Sequence, residues 1–205
     1  MTLLLATNNE HKKREFLQIF DEYNIENIKL LMINDVLNNK IEIEETGKTF
    51  KENAFLKANA LYQITKIPTI ADDSGLEIDE LGRLPGVDSA VFAGEPRSDK
   101  NNRKKVISLL EKSNLENFTA RFRTIICYYN GKETFYFEGT CEGKIILEER
   151  GGNGFGYDSI FIPDGHENTF AEMSGEEKNK ISHRANAIRE FAKSETIYQV
   201  IPSTS

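Results

Sequence analysis

The segment "RFRTIICYYNGKETFYFEG", residues 121–139, constrains the fold of this chain more than any other. Two runs rich in β-branched and aromatic residues flank Asn130-Gly131, a strong short-range hairpin signal that predicts a type I′ turn. The strand-rich region extends from Phe118 to Ile146, so a long antiparallel pair must be accommodated. Elsewhere helices and strands alternate. "LLLATNN" reads as a short strand, Leu3 to Ala6, that breaks at Thr7-Asn8-Asn9. In "EHKKREFLQIF", Phe16, Leu17 and Phe20 fall on one helical face. Thr49-x-x-Glu52 is a capping box that opens a helix with the apolar stripe Phe50, Ala54, Ala58 and Leu61. A buried strand runs from Pro68 to Ala71 and ends at two adjacent carboxylates, Asp72 and Asp73; Leu76 and Ile78 then resume a strand alternation. Ser98 or Asp99 caps another helix, "SIFIP" is one more short strand, and Ser174-x-x-Glu177 opens a last helix with the stripe Ile181, Ala185, Ile188 and Ala192. Helix–strand alternation joined to an antiparallel hairpin predicts an α/β chain with a mixed sheet. No internal repeat of 20 to 50 residues is present.

Composition narrows the function classes. A chain of 205 residues suits one large domain, or one domain with two lobes. With 39% hydrophobic and 29% charged residues it can bury a core and is not a disordered segment. A net charge of -7 disfavours a nucleic-acid polymer as partner, while a small anionic ligand stays open wherever basic residues converge. The two cysteines, Cys127 and Cys141, form neither a C-x-x-C metal spacing nor a disulfide framework. No apolar run approaches the roughly 20 residues that span a bilayer. The N-terminus lacks a basic stretch followed by a long apolar one, so no signal peptide is expected, and a cytoplasmic protein without membrane attachment is the expectation.

Two motifs fail on inspection. Gly47-Lys48-Thr49 resembles a phosphate-binding loop, but that loop needs a glycine where Glu42 stands, and Glu44 and Glu45 would repel a phosphate. "GGNGFG" fits no G-x-G-x-x-G register.

Four places carry chemistry. Asp72 and Asp73, with Glu44 and Glu45 ahead of the Thr49 helix, offer four carboxylates to a hard dication such as Mg²⁺; the plainer reading is a solvated turn. The Thr7-Asn8-Asn9 turn, leading into a helix that bears Lys12, is a candidate anion site or an ordinary first turn. Lys57, one turn after Asn53, adds a cation or is simply exposed. In "GGNGFGYDSIF", glycines 151, 152, 154 and 156 surround Phe155 and Tyr157, as suits a flat ring stacked on an aromatic face; a glycine-rich turn with a core phenylalanine fits as well. Lys178, His183 and Arg184 could donate to a purine carbonyl or form a solvated helical face.

Taken in order, "LLLATNNEHKKREF", "EETGKTFKENAFLKANA", "IADDSGLEIDELGRLPGVDSA", "GGNGFGYDSIF" and "EEKNKISHRANAI" resemble the inosine triphosphate pyrophosphatases over nearly the whole chain. The resemblance implies an α/β fold with a long mixed β-sheet flanked by helices, two lobes around a central cleft, and residues 1–205 as a single domain of nucleoside triphosphate pyrophosphatase type, usually a homodimer. It implies Mg²⁺-dependent cleavage of dITP, ITP or XTP to the monophosphate and pyrophosphate. Carried over by position, Thr7, Asn8, Asn9 and Lys12 would hold the triphosphate. Glu44, Glu45, Asp72 and Asp73 would bind metal, and Asp73 would be the catalytic base. Ser74 and Lys57 would contact the substrate. Phe155, Gly156, Tyr157 and Asp158 would frame base and sugar, and Lys178, His183 and Arg184 would read the purine. The chain departs from the family pattern at Asn8, where glycine is frequent, at Ser159, where proline is frequent, and at Val91, where an arginine is usual.

The mechanism so implied is attack of water on the α-phosphorus, with Asp73 accepting its proton. Donors facing the purine 6-position would suit a carbonyl and reject an amino group. A pyrophosphatase for modified pyrimidine nucleotides and a nucleotide sensor without turnover are the competing readings; a substrate panel separates all three.

Overall fold

The computed structural model describes residues 1–38, 41, 43–113 and 115–195. Glu42, which breaks the phosphate-loop pattern, and residues 196–205 lie outside them. Among the described residues the strands form one seven-stranded mixed sheet in the order β2-β1-β3-β5-β6-β7, with β4 paired to β3. These strands are β1 Thr2–Leu5, β2 Lys29–Met32, β3 Thr69–Ile78, β4 Leu84–Pro85, β5 Phe118–Tyr129, β6 Thr134–Ile145 and β7 Phe161–Pro163. β1 lies parallel to β2 and β3; β4 is antiparallel to β3, and β7 to β6. The expected mixed α/β sheet is therefore present. The chain divides into two compact units, one of residues 1–73, 124–139 and 184 onward, the other of residues 74–123 and 140–183.

The first unit is built on a parallel β-α-β start. Helix α1, Glu10–Glu22, joins β1 to β2 and is capped by Asn9, whose side chain accepts from the His11 amide. A four-residue helix, α2, Ile33–Val36, follows β2. Phe16, Ile19 and Phe20 of α1 pack with Leu3, Leu5, Ile70, Tyr128, Ile188 and Phe191. Leu17 does not join them: it is 42% exposed, because the buried stripe passes through Phe16, Ile19 and Phe20 at helical spacing. Helix α3, Phe50–Thr65, forms with the predicted box, Thr49 and Glu52 each accepting from the other's backbone amide, and buries Phe50, Ala54, Ala58 and Leu61. The β5–β6 turn differs from the prediction. A type I′ turn needs positive φ at both central residues, and only Gly131 has it, at 89°. The connection spans residues 130–133, and the Asn130 side chain accepts from the amides of Lys132 and Glu133, an Asx turn.

In the second unit, helix α4, Asp99–Leu110, is capped by Ser98 and sets Val106 and Leu110 against Leu76, Ile78, Phe118, Phe122, Phe161 and Phe170. Helix α5, Gly175–Ile181, forms with its own box, Ser174 to Glu177. The single terminal helix expected from the sequence is in fact two. Ser182 closes α5 through its amide on the Lys178 carbonyl and is extended, with φ -66° and ψ 149°. Helix α6, His183–Lys193, starts immediately after it and returns the chain to the first unit. Serine bonds locally and is a weak helix former, so the break falls there.

β3 carries the main departure from sequence. The strand does not stop at Asp72 but runs unbroken from Thr69 to Ile78, with every residue buried except the half-buried Ser74. A doubly covered strand normally reads as a continuous apolar run. Here two carboxylates interrupt the hydrophobicity without interrupting the backbone.

Candidate active site

Side chains alternate across a strand, so Asp72 and Asp73 must leave β3 on opposite faces. The parity of the first unit fixes which. Ile70 faces the α1 and α6 core, and Asp72, two residues on, shares that side. Lys12 of α1 donates to both Asp72 oxygens at 2.9 and 2.8 Å, and Arg184 of α6 reaches one of them through Nε at 3.4 Å. The Arg184 guanidinium also donates to Glu15 at 3.2 Å. Burial alone would push the Asp72 carboxyl up, but Lys12, Arg184 and Lys57 outweigh it and hold that carboxyl far below the usual carboxylate range.

Asp73 points to the α3 side and has weaker support. Lys57 donates to one oxygen at 3.2 Å and Asn53 Nδ2 to the other at 3.2 Å. Asn53 and Lys57 stand one turn apart on α3. The Asn53 amide is oriented from behind, since its oxygen accepts from the Gly47 amide at 2.7 Å. A β-carbon at Gly47 would lie 2.6 Å from that oxygen, which explains the glycine. Lys57 is shared: Glu45 also takes it, at 3.2 Å. Desolvation and the Glu45 charge together exceed what Lys57 and Asn53 provide, and the Asp73 carboxyl is pushed up to about 6. Burial disfavours the Lys57 ammonium, but Asp73, Asp72 and Glu45 override it and keep its pKa above the ordinary lysine value.

The four carboxylates expected to converge do not form one cluster. Asp72 is committed to two cations across the strand, Glu44 is exposed, and Asp73 and Glu45 share one ammonium. No group of three or more His, Cys, Asp or Glu side chains arranged to hold a metal occurs among the described residues. Asp73 and Glu45 nonetheless fit a hard dication. Their donors are oxygens, and two carboxylates against one ammonium leave a local negative excess. Side-chain bonds hold the Thr7-Asn8-Asn9 turn both within itself and to α2. Thr7 Oγ1 accepts from the Asn9 amide, and Asn8 Oδ1 from the Asn34 amide at the start of α2.

The second unit holds the aromatic residues of the glycine-rich loop, Phe155 and Tyr157. Phe155 is 57% exposed although its neighbours are anchored. Lys178 of α5 lies 5.2 Å from its ring centroid and 5.0 Å from that of Phe170, and is bonded to Asp158 at 2.6 Å. The same Asp158 oxygen accepts from the Phe155 amide at 2.9 Å. A β-carbon at Gly154, where φ is 75°, would collide with that oxygen. The Tyr157 ring is buried, and its hydroxyl donates to the Ser89 carbonyl at 2.8 Å, so it faces the core rather than solvent. His183 is buried, its ring stacked on Phe122 at 4.8 Å. Of the three residues assigned to the purine, Lys178 and His183 stand in this unit, whereas Arg184 turns to Asp72 and Glu15 in the other. Glu15 and Asn53 were not singled out from sequence. The spacing Asn53 to Lys57 was the available signal for one, and Lys12 to Glu15, on one helical face, for the other.

The sequence model of the Ham1 family matches residues 3–194. The chain belongs to the Ham1 family. A protein of Aquifex aeolicus (strain VF5) named dITP/XTP pyrophosphatase is 46% identical over 200 residues, covering 93% of this chain and 95% of its own. One of Bacillus subtilis (strain 168) with the same name is 45% identical over 193 residues, covering 93% and 94%. The solved Ham1 protein of Staphylococcus aureus superposes with a TM-score of 0.83 at 37% identity, over 94% of this chain and 96% of that one. The HAM1 protein of Coxiella burnetii does so with a TM-score of 0.84 at 34% identity, over 98% and 100%. The Ham1 fold thus accounts for the mixed sheet and its flanking helices. Among the described residues no helix is long and apolar enough to cross a membrane.

Proposed function

We propose that this chain is a nucleoside triphosphate pyrophosphatase that hydrolyses dITP, ITP and XTP to the monophosphate and pyrophosphate, cleansing the nucleotide pool. Residues 1–205 act as a single domain of this type, with Mg²⁺, in the cytoplasm and as a homodimer. The observation that carries the reading is Asp73, a largely buried carboxyl pushed up to about 6, in a Ham1 chain 46% identical to a dITP/XTP pyrophosphatase. A base is most useful when its pKa lies near working pH. Asp73 takes the proton of a water whose oxygen bonds to the α-phosphorus; the bond from that phosphorus to the bridging oxygen breaks, and pyrophosphate leaves. Asn53 and Lys57 fix the carboxylate, and Asp72 holds Lys12 in place beside the Thr7-Asn8-Asn9 turn, where the triphosphate binds. Glu45 and Asp73 are the residues that would hold Mg²⁺, with the exposed Glu44 as a further carboxylate, whereas Asp72, expected from sequence to join them, is committed to Lys12 and Arg184 on the other face of the strand. When bound, the ion supplies charge neutralisation and acidifies water.

Purine recognition falls to Phe155 as a stacking face and to Lys178 and His183 as donors for a 6-carbonyl, with Ser74, Gly156, Tyr157 and Asp158 shaping the surroundings. Arg184, assigned to the purine from sequence, supports Asp72 here, which shifts the reading onto Lys178 and His183. A buried donor left unpaired by an amino group costs about 1–3 kcal/mol. The test is pyrophosphate release from dITP, XTP, ATP, GTP and a modified pyrimidine triphosphate, each with and without Mg²⁺. We expect kcat/KM for dITP and XTP to exceed that for ATP by ~10-fold or more, and only with Mg²⁺. Equal turnover of ATP and dITP, or preference for the pyrimidine, would overturn the purine reading; tight binding without release of pyrophosphate would make the protein a sensor.

A further inference from the structure

The loop that exposes Phe155 contains four glycines between residues 151 and 156, and glycine loses more backbone freedom on ordering than any other residue. Such a loop would be a poor platform unless something external fixed it. Helix α4 does so at Gly156. The Gly156 amide donates to Asp99 Oδ2 at 2.8 Å, and the Gly156 carbonyl accepts from Arg103 Nη1 at 2.7 Å. Asp99 and Arg103 are separated by one helical turn and so project from the same face. An acid and a base at that spacing hold both backbone groups of the residue next to Phe155. Each member is itself placed. Ser98 caps the helix immediately before Asp99, and Arg103 Nε donates to Glu149 at 2.9 Å. The helix is anchored in turn by Asn102. This buried side chain donates to the carbonyls of Ser89 and Ala90 and accepts from the Ala93 amide.

We propose that Asp99 and Arg103 are positioning residues for nucleobase recognition, a pair on α4 that grips Gly156 and thereby fixes the Phe155 ring. The inference rests on the reading of Phe155 as the stacking face. Neither residue touches the nucleotide. Their effect is preorganisation: a ring on a fixed backbone loses little further freedom when a base stacks on it. Removing either grip should weaken binding more than it slows the chemical step, in which neither residue takes part.

The test uses the full chain and two variants. Arg103→Met keeps the aliphatic stem and removes both donors; Asp99→Ala removes the acceptor. Hydrogen exchange of the Gly156 amide, read without nucleotide, should quicken by ~10-fold or more in Asp99→Ala, the loss of one charge-assisted bond. In both variants KM for dITP should rise ~10-fold while kcat falls far less, and Asp99→Asn, which retains an acceptor oxygen, should recover most of the loss. Faster exchange with KM unaltered in both variants overturns the positioning role. A raised KM with exchange unaltered in Asp99→Ala overturns it too, since it would indicate direct contact. A wild-type protein that exchanges slowly at Gly156 yet does not hydrolyse dITP removes the nucleotide reading and leaves the grip as an architectural one only.

Discussion

Asp73→Asn should lower kcat for dITP by roughly 10²–10⁴-fold, the range that loss of a positioned general base costs, without unfolding the protein. The amide keeps the shape, but its single oxygen replaces only one of the two acceptors that Asn53 and Lys57 use, and it cannot take a proton from water. The stability side has a definite sign. The folded pKa of Asp73 is raised above the ordinary carboxylate value. The fold therefore favours its protonated form, and that contribution is lost as pH rises through about 6. Near neutrality the wild-type protein carries an ionised carboxylate that burial disfavours, so losing the charge costs little, and the neutral variant should melt only slightly below wild type, by the one hydrogen bond it cannot replace. Steady-state kinetics together with a thermal melt checks both halves, and a variant retaining full turnover removes Asp73 from the role of base.

Asp72→Asn should have the opposite profile, with stability as the main casualty. Asp72 is the shared counter-ion of Lys12 and Arg184, and its side chain is almost wholly buried. Neutralising it leaves two cations facing an amide. Breaking a buried pair costs about 3–5 kcal/mol, and Arg184 keeps Glu15 as a second partner, which favours the lower end. For a chain of this length that is a fall in Tm of roughly 6–12 °C. The folded pKa of Asp72 is depressed, so its contribution is present above the ordinary carboxylate range and disappears as pH falls below it. Acid should therefore destabilise the wild-type protein more steeply than Asp72→Asn. Melting curves between neutral and acid pH measure this directly; superimposable profiles would show that Asp72 is not the buried counter-ion.

The parts of this molecule that were legible in the sequence are those decided locally. Thr49-x-x-Glu52 and Ser174-x-x-Glu177 each formed as capping boxes, because every partner lies within four residues. The hairpin formed as well, but its turn geometry followed the Asn130 side chain rather than the Asn-Gly rule, since Oδ1 could satisfy two amides at once. What local pattern could not show was the continuity of β3 through Asp72 and Asp73. Two adjacent carboxylates look like the end of a buried strand until their counter-ions are known, and Lys12, Lys57 and Arg184 come from three separate helices. Leu17 was misplaced for a related reason: its neighbours fixed a helix but not which stripe of it met the core. The resemblance named the candidate residues. Their partition between faces, with Arg184 serving Asp72, became visible only once alternation along β3 and the packing of α1, α3 and α6 were known.

One strand holds two neighbouring carboxyls in unlike surroundings, a spent ion pair on one face and a reactive group on the other. The direct measurement is a carboxyl-carbon NMR titration of Asp72 and Asp73 in metal-free protein, repeated with Mg²⁺. Asp73 should titrate near pH 6 and move downward when Mg²⁺ is added, while Asp72 stays ionised well below the ordinary range in both. Two carboxyls titrating together close to the ordinary value of about 4, with Mg²⁺ moving neither, would contradict it.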